Sequence, residues 1–248
     1  MFIKTKIGGK VLIISLYVDD VIFTGNDESM FVEFKRSMML EFDMTDLGKM
    51  RYFLGIEVVQ KSDGIFIGQK KYVLEVLERF GMDKYNPVHN PIVPGEKLEK
   101  DKDGAKVDGT YYKQVVGSLM YLTTTCPDIM FVVSLISRYM GNPSQLHLQA
   151  KRKVLRYLKG TADFELFYKK EGDEELTTYT DSDYAGDLDD RKSTSGYVFL
   201  LSYVAVSWSS KKQLVVSLST AEAEFIAAAA CACQAVWLHQ VLKKLGHY

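Results

Sequence analysis

Short apolar runs separated by polar turns open the chain and predict a start that is rich in strands. Residues 11–16 and 21–23 are dominated by apolar, mostly β-branched side chains and are too short to span a membrane, so they predict the two strands of a tight hairpin. The tetrapeptide Tyr-Val-Asp-Asp lies between them at residues 17–20. Apolar positions then recur with helical spacing over residues 27–42, which predicts a helix.

Alternating patterns continue up to a change in composition near residue 86. Residues 52–60 and 65–69 predict two strands, and residues 70–80 predict a helix that ends at Gly81. Three prolines within eight residues and a charged run then follow. This composition predicts a linker over residues 86–110, stiff at first and well solvated afterwards.

Helices and then strands are predicted in the remainder of the chain. The predicted helices cover residues 111–124, 127–140 and 144–159. Four short strands are predicted at 164–168, 176–180, 196–201 and 204–208. A long helix is predicted from about Ser219, where Ser219 and Glu222 match a capping box.

Composition narrows the class of protein only a little. The chain has 248 residues, 47% of them hydrophobic, so it can bury one large core or several small ones. A net charge of -1 argues against a uniformly basic nucleic-acid binder. Three cysteines without zinc-ligand spacing predict reduced thiols. We therefore expect an intracellular protein, cytoplasmic or nuclear and not secreted, without an apolar run long enough to cross a membrane.

Asp19 and Asp20 place two adjacent carboxylates at the predicted hairpin turn. Uncompensated charge near a core is costly, so we expect these side chains to bind a ligand. A divalent cation fits, because hard cations take oxygen ligands and phosphoryl transfer needs charge neutralised on the attacking and leaving oxygens. A polar turn that happens to contain Asp-Asp explains the tetrapeptide as well, so this motif alone leaves both interpretations open.

A second cluster of carboxylates lies between residues 179 and 190, which contain five aspartates. A calcium-binding loop does not fit, because Ala185 and Lys192 stand where such a loop needs ligands. A plain acidic loop between strands and a nuclease site remain. In the nuclease interpretation Asp181 ends a strand and Glu224 lies early in the last helix, so that both could hold metal ions for phosphodiester hydrolysis.

Glu224 is a better ligand candidate than its neighbour Glu222. The predicted capping role accounts for Glu222. Glu224 instead precedes Phe225, Ile226, Ala229 and Ala230, and we expect these residues to lie on the face that packs on the sheet.

Basic residues are concentrated on the predicted helix 144–159. Five of them occur within nine residues with no acid among them: Lys151, Arg152, Lys153, Arg156 and Lys159. We expect them to spread over the solvent side of the helix, where such a stripe could neutralise several phosphates of a nucleic acid. A solvated helix face without a ligand is the alternative.

Several short motifs follow one another along the chain in a fixed order. They are YVDD at 17–20, FLGIEV at 53–58, VGSLMYL at 116–122, PDI at 127–129, VLRYLKGT at 154–161, DDRKSTSGY at 189–197 and STAEAE at 219–224. This succession resembles the Pol polyprotein of copia-type LTR retrotransposons, from the middle of the reverse transcriptase into its ribonuclease H domain, over essentially all 248 residues.

The resemblance implies roles for the candidate residues. Asp19 and Asp20 correspond to polymerase metal ligands, for Mg²⁺ or Mn²⁺ in the full-length parent. Asp181 and Glu224 correspond to the first two carboxylates of a ribonuclease H site. The implied partners are an RNA–DNA hybrid or a primer–template nucleic acid, together with the rest of the Pol polyprotein.

The fold class that the resemblance implies is α+β, with four regions. They are a partial reverse transcriptase with palm hairpin, primer grip and thumb (1–85), a linker rich in proline and charge (86–110), a helical connection with the basic helix (111–163), and a truncated ribonuclease H-like mixed sheet with a packed helix (164–248). Ser202-Tyr203 joins two strands where we expect a glycine-rich turn.

The resemblance also implies carboxylates that the 248 residues do not contain. A third palm carboxylate is expected before the hairpin, and further nuclease carboxylates are expected after the last helix. We therefore expect a fragment of an RNA-directed DNA polymerase and ribonuclease H that is inactive alone. The alternatives are a catalytically dead remnant that acts at most as a nucleic-acid-binding module, or a host protein that has kept only a folded interaction module.

Overall fold

The computed structural model describes residues 1–93, 95, 97–101, 103–171 and 175–246. They form two compact units: residues 1–50 with the end of the chain from residue 240, and residues 51–239. Three antiparallel sheets and six α-helices make up the described portion of the chain. The expectation of an α+β protein is confirmed at this level.

The first unit contains a three-stranded antiparallel sheet with the order β1-β2-β3. Its elements are β1 (Phe2–Lys6), β2 (Lys10–Tyr17), β3 (Asp20–Gly25) and helix α1 (Glu28–Glu41). Leu12 and Met30 are buried between sheet and helix. The predicted hairpin and helix are confirmed, but β1 was not predicted. β1 pairs with β2 along its whole length, and its Lys4 and Lys6 also form ion pairs with Glu33 of α1.

Four helices enclose the main hydrophobic core of the second unit. They are α2 (Lys70–Arg79), α3 (Gly109–Leu122), α4 (Met130–Ser137) and α5 (Gln145–Gly160). Each contributes fully buried side chains, such as Val76, Leu119, Ile136 and Leu155. The predicted helices are confirmed, although a 3-10 turn at Pro127–Ile129 precedes α4.

A four-stranded antiparallel sheet lies in the same unit, with the order β4-β5-β6-β7. Its strands are β4 (Tyr52–Phe53), β5 (Ile56–Gln60), β6 (Gly64–Gly68) and β7 (Leu166–Lys169). The strand predicted over 52–60 is split, because Leu54 and Gly55 turn the chain with φ angles of 48° and 76°. β7 pairs with β6, so a strand expected in the region 164–248 completes a sheet whose other strands were expected in the region 1–85.

The third sheet has the order β10-β9-β8 and is followed by a long helix. Its elements are β8 (Leu176–Ser182), β9 (Thr194–Leu201), β10 (Val204–Lys212) and helix α6 (Thr220–Leu245). Both pairings are antiparallel, so the expectation of a mixed sheet is wrong for the described residues: the chain leaves β10 for a helix and not for a parallel strand. Ser202 and Tyr203 form the β9–β10 turn with φ angles of 50° and 67°, which residues other than glycine adopt at a cost.

Helix α6 packs on the third sheet through small side chains. Ala223, Ala227 and Cys231 are its buried residues, and Cys231 Sγ lies 3.3 Å from Thr178 Oγ1 of β8. The residues expected to pack are largely exposed: Phe225 is 75% exposed, Ala229 and Ala230 are exposed, and Ile226 is half-buried. The spacing of four residues from Ala223 defines the packed face instead.

Helix α6 also corrects an expectation about membranes. It spans 26 residues and contains an 18-residue window with a mean hydropathy of 1.6, so by length and composition it could cross a membrane. The expectation that no apolar run reaches this length is therefore wrong. Apolar helices of soluble proteins pass the same test, and 11% of this window is buried.

Candidate metal-binding and nucleic-acid-binding sites

The β2–β3 hairpin turns over two residues and presents the first carboxylate pair. Tyr17 pairs with Asp20, so Val18 and Asp19 form the turn and Asp20 begins β3. Val18 has a φ angle of 54°, a left-handed conformation in which a β-branched residue is an outlier. Strained backbone of this kind is concentrated at active sites and ligand clamps, which makes this turn a candidate site.

The exposure of the turn changes the reason for expecting a ligand there. Asp19 and Asp20 are both solvent-exposed, so water solvates their charges and the expected cost of burying them does not arise. Two adjacent carboxylates remain accessible, and their oxygens suit Mg²⁺ or Mn²⁺. The residues that the structure describes contain no group of three or more His, Cys, Asp or Glu side chains that could hold a metal ion. The carboxylates of Asp19 and Asp20 therefore fit a divalent cation in donor type, with at most two side-chain ligands from this hairpin.

Asp181 lies on an open edge of the third sheet. It belongs to β8, which is the terminal strand of the order β10-β9-β8, and it stands opposite Gly196 of β9. Its side chain is exposed and makes no hydrogen bond or ion pair within the described portion of the chain. The carboxylate is thus accessible for binding a cation.

The two glutamates at the start of α6 have different environments. Ser219 Oγ accepts a hydrogen bond of 3.1 Å from the backbone N–H of Glu222, and Glu222 Oε2 accepts one of 2.6 Å from the N–H of Leu218. The capping role of Glu222 is confirmed, with its carboxylate reaching one residue further back than in the standard box. Glu224 is exposed and has no partner among the described residues, so its carboxylate also stays accessible.

One amide links the segments that carry Asp181 and Glu224. Gln213 Nε2 lies 3.2 Å from Ser182 Oγ and 2.9 Å from the carbonyl oxygen of Ala223. These two residues are the chain neighbours of Asp181 and Glu224, so the structure brings both carboxylate-bearing segments to a single side chain. Gln213 itself is buried. Sequence reasoning missed it, because a lone glutamine after a strand carries no periodic or motif signal.

The other aspartates of the acidic segment are used inside the fold. Asp187 is buried and forms ion pairs with Arg138 at 3.2 Å and Lys212 at 2.6 Å. Burial by itself would raise the pKa of Asp187, but the hydrogen bonds from Lys212 and from the N–H groups of Asp189 and Asp190 lower it to about 2. For this carboxylate the interpretation as a structural acidic loop is confirmed.

Two further aspartates of this loop, Asp183 and Asp189, also accept hydrogen bonds within the fold. Asp183 Oδ1 accepts a hydrogen bond of 2.8 Å from the N–H of Thr194, and the carboxylate of Asp189 accepts from the N–H of Lys100 at 3.0 Å. Both side chains therefore hold loop segments together. Asp181 differs from them in having no such role among the described residues.

The basic helix α5 is only partly the solvent-facing stripe that its sequence predicts. Lys151 is fully buried, with Nζ 4.0 Å from the centroid of the Tyr111 ring. Its expected phosphate contact is therefore wrong: a helical spacing of three and four residues places Lys151 in the buried row of Leu148 and Leu155. Burial, and secondarily the charge of Arg152, lowers the pKa of Lys151 to about 8.

The other four basic side chains keep some of their surface in solvent. Arg152 is exposed, and Lys153, Arg156 and Lys159 are half-buried. Arg156 Nε donates to the carbonyl oxygen of Asn86 at 2.8 Å, and Lys159 Nζ donates to that of Asp83 at 2.6 Å. Arg152 and Lys153 thus remain the most available cations of this helix.

Comparison with known proteins decides the family. The family model described as reverse transcriptase (RNA-dependent DNA polymerase) matches residues 1–94. A putative transposon Ty5-1 protein of Saccharomyces cerevisiae is 33% identical over 87% of this chain and 71% of its own length. The retrovirus-related Pol polyproteins from transposon RE1 of Arabidopsis thaliana and transposon TNT 1-94 of Nicotiana tabacum are 38% and 40% identical, over 96% and 95% of this chain. The chain belongs to the retrovirus-related Pol polyproteins of copia-type transposons.

The extent of these matches differs along the Pol chain. The reverse-transcriptase family model covers the β2–β3 hairpin with Asp19 and Asp20, and it ends before Asp181, Glu224 and the basic helix. The chain spans 16% and 18% of the length of the RE1 and TNT 1-94 polyproteins. No solved structure matches this chain.

Proposed function

We propose that this chain belongs to a retrotransposon RNA-directed DNA polymerase with ribonuclease H, and that it works within a larger Pol polyprotein. The observation that carries the proposal is the β2–β3 hairpin, which exposes Asp19 and Asp20 side by side at a strained two-residue turn. This hairpin lies inside the region that matches the reverse-transcriptase family.

The same proposal assigns the elements to regions of the enzyme. The β2–β3 hairpin belongs to the palm, strands β4 and β5 to the primer grip, and helix α2 to the thumb. Helices α3 to α5 form the connection. The sheet β8–β10 with α6 forms a ribonuclease H-like region. The described antiparallel order of that sheet and the packing of α6 on it are compatible with this assignment.

The chemistry of the hairpin follows from its two carboxylates. Asp19 and Asp20 would hold Mg²⁺ or Mn²⁺, which when bound supplies positive charge to the oxygens of the transferred phosphoryl group. The protein contributes the position of these carboxylates: two hydrogen-bonded strands and a strained turn restrict their backbone before any ligand arrives. Two carboxylates do not fill the ligand set of such a cation, so we propose that residues elsewhere in the Pol polyprotein complete it and that this chain alone is inactive.

We assign the second carboxylate pair, Asp181 and Glu224, to hydrolysis of RNA in an RNA–DNA hybrid. Support comes from the exposure of both side chains and from Gln213, which ties their neighbouring residues together. In this assignment Gln213 is a positioning residue, because it fixes β8 against α6 without reaching a carboxylate itself.

Contact with the nucleic acid is proposed for the exposed surface of α5, chiefly Arg152 and Lys153. The same surface supports the second candidate, a remnant without catalysis that only binds nucleic acid. We place either form inside the cell, in the cytoplasm or nucleus, since Cys126, Cys231 and Cys233 are free thiols.

Binding of Mn²⁺ at the hairpin can be tested directly on the purified chain. In ¹H–¹⁵N spectra, paramagnetic Mn²⁺ should broaden the backbone amides of residues 18–21, and the double variant Asp19→Asn with Asp20→Asn should lose this broadening. The matched control is Asp189→Asn with Asp190→Asn, the other adjacent aspartate pair, which should leave broadening at 18–21 unchanged. Equal broadening in both double variants would contradict the metal assignment.

We expect polymerase activity only from the product of a longer reading frame that includes this chain. Sequencing the genomic DNA on both sides of this sequence and expressing the continuous frame should yield a product that extends a DNA primer on an RNA template. Asp20→Asn in that product should abolish extension, whereas Asp190→Asn should not. Extension that survives Asp20→Asn would refute the role of the hairpin, and a frame interrupted on both sides would favour the remnant.

A further inference from the structure

A pocket with a volume of about 430 Å³ lies against the outer side of helix α5. This volume is within the range of small-molecule sites, about 300–1,000 Å³. The pocket is lined by Tyr85, Gln149, Arg152, Lys153 and Arg156, with Met82 and Val88 beside them. It therefore contains the two most available cations of the basic helix and one aromatic ring.

The wall opposite α5 is the segment between α2 and the linker, and hydrogen bonds hold it in place. Arg156 Nε donates to the carbonyl oxygen of Asn86 at 2.8 Å, and Lys159 Nζ donates to that of Asp83 at 2.6 Å. The N–H of Val88 donates in return to the carbonyl oxygen of Arg156 at 3.3 Å. Because Tyr85 lies between two of these anchored residues, its backbone is held on both sides, while the residue is 52% exposed.

The lining combines two kinds of chemistry. Its charged members are all cationic: Arg152, Lys153 and Arg156 line the pocket, and no carboxylate is among the described lining residues. The Tyr85 ring and the side chain of Val88 supply apolar surface, and Gln149 supplies an amide that can donate and accept. Such a site favours a ligand with an anionic group next to a flat, polarisable group that also carries hydrogen-bonding edges.

We propose that this pocket binds one nucleotide of a single-stranded nucleic acid, with the base on the Tyr85 ring and the phosphate on Arg152 and Lys153. The inference rests on the proposed function and deepens it. An unpaired base can present its face to Tyr85, whereas base faces in a duplex are already stacked. A duplex would reach only the cations, through its phosphates. A free nucleotide has the same chemistry as one residue of a strand, so the test must separate these two sources.

Fluorescence anisotropy of the full chain with a labelled oligo(dT) strand and an abasic strand of equal length tests the pocket. Tyr85→Leu should weaken oligo(dT) binding by about tenfold and leave abasic binding unchanged, because only the stacking contact is lost. Tyr85→Phe, which keeps the ring face, should bind as the unaltered chain does.

The cations are tested by their effect on salt dependence. Arg152→Gln with Lys153→Gln should weaken both strands and reduce the slope of log affinity against log salt by about 1.4, because each phosphate contact on a single strand contributes about 0.7. The matched control is Lys169→Gln with Lys170→Gln, an exposed lysine pair at the end of β7 that lies outside the pocket. This control should change neither affinity by more than about twofold.

The outcomes separate the possible ligands. Displacement of labelled oligo(dT) by dTMP would indicate a free-nucleotide site and overturn the assignment to a strand. Displacement only by unlabelled strands would support that assignment. Equal binding of oligo(dT) and abasic strands, insensitive to Tyr85→Leu, would refute the pocket while leaving the proposed function in place. Tyr85-dependent strand binding, together with primer extension by the continuous frame that survives Asp20→Asn, would refute the proposed function and leave the pocket.

Discussion

Replacing Lys151 by methionine should stabilise the second unit at neutral pH. The Lys151 side chain is fully buried in α5, and within the described portion of the chain its Nζ has no hydrogen-bond partner. The Tyr111 ring centroid lies 4.0 Å from Nζ. Methionine keeps the unbranched apolar stem and removes the ammonium group, so the substitution tests the cost of this charge with little change in packing.

The magnitude follows from the pKa of Lys151. Burial lowers this pKa from 10.5 to about 8, which at about 1.4 kcal/mol per pKa unit corresponds to about 3 kcal/mol of destabilisation when the lysine is charged in both states. We therefore expect Lys151→Met to raise the free energy of unfolding by about 3 kcal/mol at pH 7.

The pH dependence provides an internal check. The pKa is lower in the folded state than in the unfolded state, so between about pH 8 and pH 10.5 the unfolded state binds more protons. The stability of the unaltered chain therefore rises across this window relative to Lys151→Met. The advantage of the variant should be fully present below pH 8 and gone above pH 10.5.

Urea unfolding followed by the fluorescence of Trp208 measures this difference. The Trp208 indole donates to the carbonyl oxygen of Thr123 at 2.8 Å, so it reports on the second unit. Trp237, which is 56% exposed, should be replaced by phenylalanine throughout. Lys113→Met, at an exposed position of α3, is the control and should change stability by less than about 0.5 kcal/mol at every pH. A loss of stability in Lys151→Met at pH 7, or a gain that stays constant up to pH 10.5, would refute the reasoning.

Three further substitutions test other features. Asp187→Asn should lower the free energy of unfolding by about 2 kcal/mol at pH 7, and this loss should vanish as the pH falls from 3.8 toward 2, because the pKa of Asp187 is lowered to about 2 in the fold. Urea unfolding across that pH range measures the loss, and a loss independent of pH would contradict the reasoning. Gln213→Leu should lower the free energy of unfolding of the second unit by about 2 kcal/mol, because it removes the amide hydrogen bonds to Ser182 and Ala223 and leaves the buried Ser217 hydroxyl without its acceptor. No change would show that the amide link is dispensable. Val18→Gly should relieve the φ angle of 54° and slow hydrogen exchange across β2 and β3, and faster exchange would argue against strain at this turn.

Local patterns predicted local structure well. The hairpin around residues 17–20 and the capping role of Glu222 depend on neighbours within a few positions, and both are present. Lys151 shows a different kind of error. Its spacing from Leu148 and Leu155 matches the buried face of α5, and this position rather than the charge of the side chain decides that Lys151 is buried.

Features that depend on distant segments of the chain could not be predicted from local patterns. Nothing near residues 166–169 indicates that this strand pairs with β6, and nothing near Gln213 indicates that its amide reaches both Ser182 and Ala223. Both depend on tertiary packing. The antiparallel order of the third sheet was hidden for a related reason, because strand lengths and spacings do not specify pairing direction.

The pairing of β6 with β7 has a consequence for synthesis and for dissection of the chain. Ile67 and Leu166 are partners although they are 99 positions apart. During translation one edge of β6 therefore stays unpaired until the helices α3 to α5 and then β7 have emerged. We expect this sheet to form slowly, and its open edge can pair with other strands in the meantime. A polypeptide cut after residue 94, where the reverse-transcriptase match ends, would keep that open edge permanently. Fragments of this chain should be cut after β7 if they are to stay monomeric.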